Sequence, residues 1–204
     1  MTRFVLVRHG QTIWNQEERF RGLSNVPLDE VGLAQAEATA RRLSIEKPAA
    51  IYSSGVHRAV QTAEAIARPH ALAVHPLPGI TDIDFGLLQG LTVQEAILRW
   101  PTVVESWMHT PQLTRFPEGE SLGDLRERAA RTLAELGARH PDDTVILVGH
   151  TVINRVILLY VMGLGNERFW RLSQSTCAIN VFDAQDGEFT IVSLNDTCHL
   201  NGLA

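Results

Sequence analysis

Residues 4–15, FVLVRHGQTIWN, decide the fold of this chain of 204 residues. The four apolar residues 4–7 predict a short buried strand, and the strand leads directly into Arg8, His9 and Gly10. A second apolar run, residues 145–148, leads in the same way to His150. Polar side chains that directly follow buried strands are typical of a ligand site at the edge of a sheet.

The rest of the chain alternates predicted strands with predicted helices, which indicates an α/β protein. The fold class predicted is a three-layer α/β/α sandwich with a mostly parallel central sheet. Its predicted strands are 4–7, 49–53, 144–148 and a hairpin of 178–182 with 189–194 about Asp186-Gly187. Its predicted helices are 29–43, 56–67, a helix opened by the capping box Thr92–Glu95 and ended before Pro101, a long helix opened in the same way by Ser121–Asp124 and extending to about 139, and 151–162. Residues from 195 onward are predicted to form a loop.

Composition excludes several classes of function. The formal net charge is −5 at pH 7, which provides no field that attracts nucleic acid or an acidic membrane. The longest strongly apolar run, 156–162, is far shorter than the ~20 residues that span a bilayer. Two cysteines without a CxxC pattern, and a first strand that begins at once, lead us to expect a cytoplasmic protein without a signal peptide.

Two histidines and two arginines are predicted to meet at one edge of this sheet. His9 and His150 each follow a strand, Arg8 precedes His9, and Arg58 follows the strand 49–53 after a short turn. Because the carboxyl ends of parallel strands share one edge, these four side chains are expected to lie together. Guanidinium groups match phosphate oxygens, and helix N-termini after the strands add backbone N–H groups, so the pattern predicts a phosphate site. We expect Gly10 to let the backbone approach the ligand closely.

The same residues suit phosphoryl transfer. A neutral imidazole is a nucleophile that divides one displacement into two steps, and positive charge around the transferring group stabilises the transition state. A carboxylic acid must then protonate the leaving alcohol. Asp82 and Asp84, in a segment without strong helical periodicity, are the candidates.

These motifs resemble those of the histidine phosphatase superfamily, the phosphoglycerate-mutase-like proteins. The resemblance runs in order from residue 4 to about residue 165. The matching segments are Arg8-His9-Gly10 with Thr12 and Asn15, Arg19–Gly22, Pro27-Leu28 with Gly32 and Gln35-Ala36, Tyr52–Ser54, Arg58–Ala63, Asp82–Gly86 with Gly90, Gly119–Leu122 and Val148–Thr151.

The resemblance implies a role for each matching residue. His9 is the expected nucleophile that becomes phosphohistidine, and Asp82 stands where most members carry a glutamate proton donor, with Asp84 as the alternative. The remaining residues expected to act on or bind the phosphoryl group or substrate are Arg8, Gln11, Thr12, Asn15, Gly22, Arg58, His150 and Thr151. The family implies no metal and no cofactor. It also implies one histidine phosphatase domain over 1–204, with a helical cap-like insertion at about 83–120.

The family contains both mutases and phosphatases, and the sequence favours a phosphatase. The Arg-His-Tyr-Gly sequence that mutases carry after the acid is absent, as is their basic insertion before Pro117, although residues 87–91 resemble the mutase segment. The predicted function is hydrolysis of a small phosphorylated metabolite, with a cofactor-dependent phosphoglycerate mutase as the alternative. A catalytically inactive module that binds phospho-ligands is a second alternative.

The C-terminal part resembles the metal-independent phosphoserine phosphatases. That resemblance makes His199 a candidate for substrate contact, whereas Phe85 stands where those proteins use histidine. Arg21 is a candidate partner for a substrate carboxylate. Broad-specificity phosphatases and α-ribazole phosphatases share most of these motifs, and a homodimer formed through the C-terminal hairpin is one possible assembly.

Overall fold

The computed structural model describes residues 1–203 and is built around a six-stranded sheet. The strands are β1 (Thr2–Arg8), β2 (Pro48–Ser53), β3 (Val74–Pro76), β4 (Thr144–Gly149), β5 (Ile179–Gln185) and β6 (Glu188–Asp196). Their order across the sheet is β3-β2-β4-β1-β5-β6. The first four strands are parallel, and the β5–β6 hairpin joins β1 antiparallel. The predicted α/β class with a mostly parallel sheet is therefore confirmed.

Helices cover both faces of the sheet. They are α1 (Ile13–Gln16), α2 (Glu30–Leu43), α3 (His57–Ala67), α4 (Val93–Arg99), α5 (Pro101–His109), α6 (Leu122–Arg139) and α7 (Thr151–Val161). Along β1, Phe4 and Leu6 belong to the core under α6 and α7, whereas Val5 and Val7 belong to the core under α3. Because side chains alternate along a strand, this strand with apolar residues on both faces lies at the centre of three layers.

The capping predictions hold, and the differences lie at short elements. Thr92 with Glu95 and Ser121 with Asp124 form the reciprocal caps that begin α4 and α6. The sequence gives no signal for β3, because three residues are too few to show a period. The chain after residue 195 is not entirely loop: β6 extends to Asp196, and Cys198–Leu200 form a 3-10 turn.

The segment predicted as an insertion, about 83–120, contains α4 and α5 and is closed at its base by backbone hydrogen bonds. Glu120 N–H donates to the Asp84 carbonyl (2.9 Å), and Leu87 N–H donates to the Pro117 carbonyl (3.0 Å). Within residues 1–203, no helix has both the length and the apolar content to cross a bilayer.

Candidate active site

The two histidines meet because their strands are neighbours. Arg8 at the end of β1 pairs in register with Gly149 at the end of β4, so His9 and His150 leave the sheet side by side. Their ring centroids are 5.1 Å apart, and both side chains are buried. The predicted meeting of the strand ends is thus present in the structure.

Hydrogen bonds fix the tautomer of His9. Its Nδ1 lies 2.6 Å from the Gly10 carbonyl, which can only accept, so Nδ1 carries the hydrogen. Nε2 therefore keeps its lone pair, which accepts from Arg58 Nε at 3.2 Å. Burial, and then the charge of Arg58, lower the pKa of His9 well below its ordinary value. The imidazole is neutral at pH 7 and presents an unprotonated nitrogen to the site.

His150 is held by a serine that follows β2. Ser54 Oγ lies 2.7 Å from His150 Nε2 and accepts a hydrogen bond from Val56 N–H (3.3 Å). The hydroxyl hydrogen is then free for Nε2, which favours the tautomer with hydrogen on Nδ1. Nδ1 is buried and has no protein partner within residues 1–203. Burial, followed by the charge of Arg58, lowers the pKa of His150 well below its ordinary value.

Arg58 is buried and oriented by backbone carbonyls. Its NH1 and NH2 groups donate to the carbonyls of Ser24 (2.6 Å) and Gly22 (2.8 Å). Burial lowers its pKa to about 10, so the guanidinium remains charged at pH 7. Gly22, which has φ +45°, thus contributes its carbonyl to the positioning of Arg58.

Arg8 is held in a similar way at the end of β1. Its NH1 donates to the Gln174 carbonyl (2.6 Å), while Nε is buried without a partner in the described chain. Burial, and then the charge of Arg21, lower its pKa to about 9, which still leaves it charged at pH 7. The Nε–H group is therefore a free donor next to the two histidines.

The structure distinguishes the two candidate acids. Asp82 is buried, lines the cleft above the site and accepts a long hydrogen bond from Ile153 N–H at 3.3 Å. Burial raises its pKa, although Arg58 opposes this effect. Asp84 instead caps the neighbouring turn, where Oδ1 accepts from Gly86 N–H at 2.8 Å. Of the two carboxyl groups, Asp82 is the one that lines the cleft.

A cleft of about 570 Å³ opens onto these groups. Arg8 and Asp82 reach its surface, while His9, Arg58 and His150 are buried beneath it. Its walls combine apolar and aromatic residues with polar and charged ones, and its other lining residues are Asn15, Glu18, Arg19, Phe20, Arg21, Phe85, Val93, Val104, Trp107, Met108, Thr151, Val152, Arg155, Phe169 and Trp170.

Residues 4–197 match the family model of the histidine phosphatase superfamily (branch 1). The chain belongs to this superfamily. The prediction made from the motifs is confirmed, and with it the prediction of an enzyme of the phosphatase type.

Individual members of the superfamily resemble the chain over nearly its whole length. It is 34% identical over 200 residues to phosphoserine phosphatase 1 of Hydrogenobacter thermophilus, covering 98% of this chain and 95% of that protein. The solved structure of YhfR from Bacillus stearothermophilus superposes with a TM-score of 0.94 at 26% identity, over 98% of this chain and all of that one. A probable phosphoglycerate mutase of Yersinia pestis is 29% identical over 98% of this chain and 96% of that protein.

Other residues that the histidine phosphatase motif singles out have varied positions. Thr12 and Asn15 cap α1 together, with Asn15 Oδ1 accepting from Thr12 N–H at 2.9 Å, and Asn15 also lines the cleft. Thr151, at the start of α7, lines the cleft with a buried, unpartnered hydroxyl. Arg21 lines the cleft and donates to the Trp14 carbonyl at 2.9 Å.

Gln11 and His199 are predicted contact residues that do not line the cleft and bond to side chains near α2 instead. Gln11 donates from Nε2 to Asp29 Oδ2 at 3.2 Å, at the start of α2. His199 Nε2 lies 3.0 Å from Thr39 Oγ1, on the side of α2. Thr39 Oγ1 already donates to the Gln35 carbonyl, so it accepts from the imidazole. These contacts give both side chains a structural environment in the described protein.

Gly10 lies in close contact with the start of α2. A Cβ atom at this position would lie 2.5 Å from the Gly32 carbonyl oxygen, and one at Gly32 would lie 2.0 Å from the Gln11 carbonyl oxygen. The turn after β1 and the first turn of α2 therefore approach each other closely. This contact fixes the turn that carries His9.

Sequence reasoning missed three residues of the site. In the sequence Ser54 stands only within a motif. The spacing of Arg128 with Arg126 and Arg131 is typical of a solvated helix face, but Arg128 donates to the carbonyls of Asp82 (3.1 Å) and Gly79 (3.0 Å) and so holds the acid-bearing segment. Arg155 was also missed. It lies four residues after Thr151 on α7, and this helical spacing was the signal that could have placed both on one face.

Proposed function

We propose that this histidine phosphatase hydrolyses small phosphomonoesters through a phosphohistidine at His9 Nε2. The observation that carries the proposal is the His9 tautomer, because the hydrogen bond from Nδ1 to Gly10 leaves Nε2 unprotonated next to charged Arg58. A phosphoryl group that enters takes over the donor from Arg58. Arg8 Nε–H and His150 Nδ1–H, the free donors of the site, then bind its oxygens.

In the first step Nε2 forms a bond to phosphorus while the ester P–O bond breaks. The leaving oxygen takes a proton from Asp82, whose raised pKa favours the acid form before the reaction. In the second step water attacks the phosphorus, Asp82 takes a proton from it, and the N–P bond breaks. Phosphate leaves, and both the neutral imidazole and the protonated carboxyl group are regenerated.

The substrate class follows from the cleft walls and from the relatives. Phe85 stands in the cleft packed edge-on against Phe20 (5.0 Å between centroids) and Phe116 (4.8 Å), so an apolar ring replaces the histidine expected in phosphoserine phosphatases. The Phe85 ring favours leaving groups whose carbon atoms can pack against it. Phosphoserine-like esters, α-ribazole phosphate and other small monoesters are the candidate substrates. We also propose that the protein acts in the cytoplasm.

The feature that suggested a mutase has a structural explanation. Within residues 87–91, Gln89 Oε1 accepts from Leu23 N–H (2.9 Å), and the Gly90 carbonyl accepts from Arg19 (2.9 Å). These contacts tie the segment to the loop after α1 and require no second phosphate. Mutase activity remains the alternative to be measured.

The test is phosphate release from a substrate panel, with wild type, His9→Ala and His75→Ala compared. His75 is an exposed histidine on β3 and serves as the matched control. We expect His9→Ala alone to abolish turnover, and wild type quenched with base during turnover to contain phosphate on His9 by mass spectrometry. Wild-type rates in His9→Ala would refute the mechanism. Conversion of 3-phosphoglycerate to its isomer in the presence of bisphosphoglycerate, without phosphate release, would establish the mutase.

A further inference from the structure

Arg155 is distinguished from the other arginines of the cleft by its hydrogen bonds. Arg8 donates to Gln174, Arg21 donates to Trp14, and Arg19 donates to Glu17 and Gly90. In residues 1–203, Arg155 makes no hydrogen bond to the protein, and its Nε is buried without a partner. A buried N–H group without an acceptor is costly, and an anionic ligand in the cleft would supply the acceptor that this Nε–H lacks.

Aromatic side chains hold the Arg155 guanidinium in place. Its central carbon lies 5.1 Å from the ring centroid of Phe169 and 5.2 Å from that of Trp170. Trp170 Nε1 in turn donates to the carbonyl of Trp107, in α5 (2.9 Å). Contacts with the ring faces restrain a guanidinium but leave its N–H edge free, so the donors of Arg155 are preorganised.

Arg155 lies further along α7 than the residues next to the phosphate site. Four helical residues separate Thr151, next to His150, from Arg155, which is a rise of about 6 Å along α7. Both residues line the same cleft. We therefore expect an anionic group a few bonds beyond the ester oxygen of a bound phosphomonoester to come within reach of the Arg155 side chain.

We propose that Arg155 is a specificity residue that binds a carboxylate on the leaving alcohol, in addition to the phosphate bound below. This inference rests on the proposed function and deepens it, because it concerns the far end of the same cleft. A carboxylate can accept two parallel hydrogen bonds from the Arg155 guanidinium, which explains why the aromatic rings hold this side chain although no protein group accepts from it.

The test compares two substrates that differ in one group. 3-Phosphoglycerate carries a carboxylate where glycerol 3-phosphate carries a hydroxymethyl group, and their leaving alcohols are otherwise alike. We expect Arg155→Gln to lower kcat/KM for 3-phosphoglycerate about 10- to 100-fold and that for glycerol 3-phosphate by less than about threefold. Arg155→Lys is expected to restore part of the loss, because it keeps the charge without the fork.

Arg126→Gln is the matched control. Arg126 also lies over an aromatic ring, that of Tyr160 at 5.3 Å, but it lies outside the cleft lining. We expect this variant to treat both substrates as wild type does. Equal losses for the two substrates in Arg155→Gln would overturn the inference, because they would indicate a packing role for the side chain.

Binding separates this inference from the proposed function. Calorimetry on His9→Ala, with and without Arg155→Gln, gives Kd for both compounds without turnover. A Kd ratio between the two compounds that shifts about 10- to 100-fold with Arg155→Gln supports carboxylate recognition even if wild type releases no phosphate. An unchanged ratio overturns it even if wild type is an active phosphatase.

Discussion

Replacing Asp82 by asparagine tests the chemistry of the site most directly. The substitution keeps the shape of the side chain and an oxygen for the Ile153 N–H bond, but it removes the exchangeable acid proton. General acid catalysis contributes about 10²- to 10⁴-fold, which at 1.36 kcal/mol per tenfold is about 2.7 to 5.4 kcal/mol in the barrier. For an alkyl ester such as phosphoserine, whose leaving alkoxide is strongly basic, we expect Asp82→Asn to lose that amount in kcat/KM.

An aryl ester behaves differently because its leaving group departs without a proton. For p-nitrophenyl phosphate the expected loss is less than about tenfold. Asp84→Asn is the matched control, since Asp84 only caps the turn at Gly86 and should retain the wild-type ratio of the two substrates. Equal losses for both esters in Asp82→Asn, or a selective loss in Asp84→Asn, would refute the assignment of the acid.

The same variant has a thermodynamic signature. Burial raises the pKa of Asp82 above its ordinary 3.8, so the folded protein keeps this proton at pH values where the unfolded chain has released it. Stability contributed by the protonated form is therefore lost as the pH rises through that window. Asp82→Asn is expected to melt at a higher temperature than wild type at pH 7, and the difference should shrink as the pH falls toward 3.8. A lower melting temperature at pH 7 would contradict this reading of the burial.

Three further predictions concern the elements that support the site. Ser54→Ala removes the partner that fixes the His150 tautomer, so kcat/KM should fall about 10- to 100-fold while the melting temperature changes little, as steady-state kinetics and calorimetry will show. Burial lowers the pKa of both His9 and His150, so below pH 6.5 the unfolded chain binds protons that the folded chain does not. Urea titrations should therefore show that the free energy of unfolding falls below pH 6.5 by up to about 1.4 kcal/mol per pH unit for each histidine. His150→Gln should remove the contribution of one histidine to this slope. Gly32→Ala should lower both stability and activity because its Cβ meets the Gln11 backbone, whereas Gly137→Ala in α6, which meets no atom within 4 Å, should raise stability by about 0.5 to 1 kcal/mol.

The sequence predicts the strand ends well because those signals are local. An apolar run followed by Arg8-His9 or by His150 shows both the strand and the place where it ends, and parallel pairing then brings the ends together. The caps at Thr92 and Ser121 were predicted for the same reason, since a capping box lies within four residues. The short strand β3 was not predicted, because three residues are too few to show the alternation of a strand.

Residues that act through tertiary contacts could not be predicted in this way. Arg155 carries no local motif, and its importance follows from its contacts with Phe169 and Trp170, which only the folded chain brings against its guanidinium. The role of Gly10 depends on Gly32, which packs against it from another element. Asp82 and Asp84 are two residues apart and chemically identical, and only burial and hydrogen bonding separate them.

The charge balance of the site connects its fold to its function. Four arginines, Arg8, Arg21, Arg58 and Arg155, each have a pKa lowered chiefly by burial, and Asp82 is the carboxylate that opposes the effect in every case. One carboxylate with a raised pKa cannot balance four buried or partly buried cations, so these groups together favour an anionic ligand. A phosphomonoester brings up to two negative charges and several acceptor oxygens to the donors that have no protein partner. Substrate binding thus offsets the desolvation cost of these charged groups. The offset is largest in the transition state, when the transferring phosphoryl group spreads its negative charge toward them.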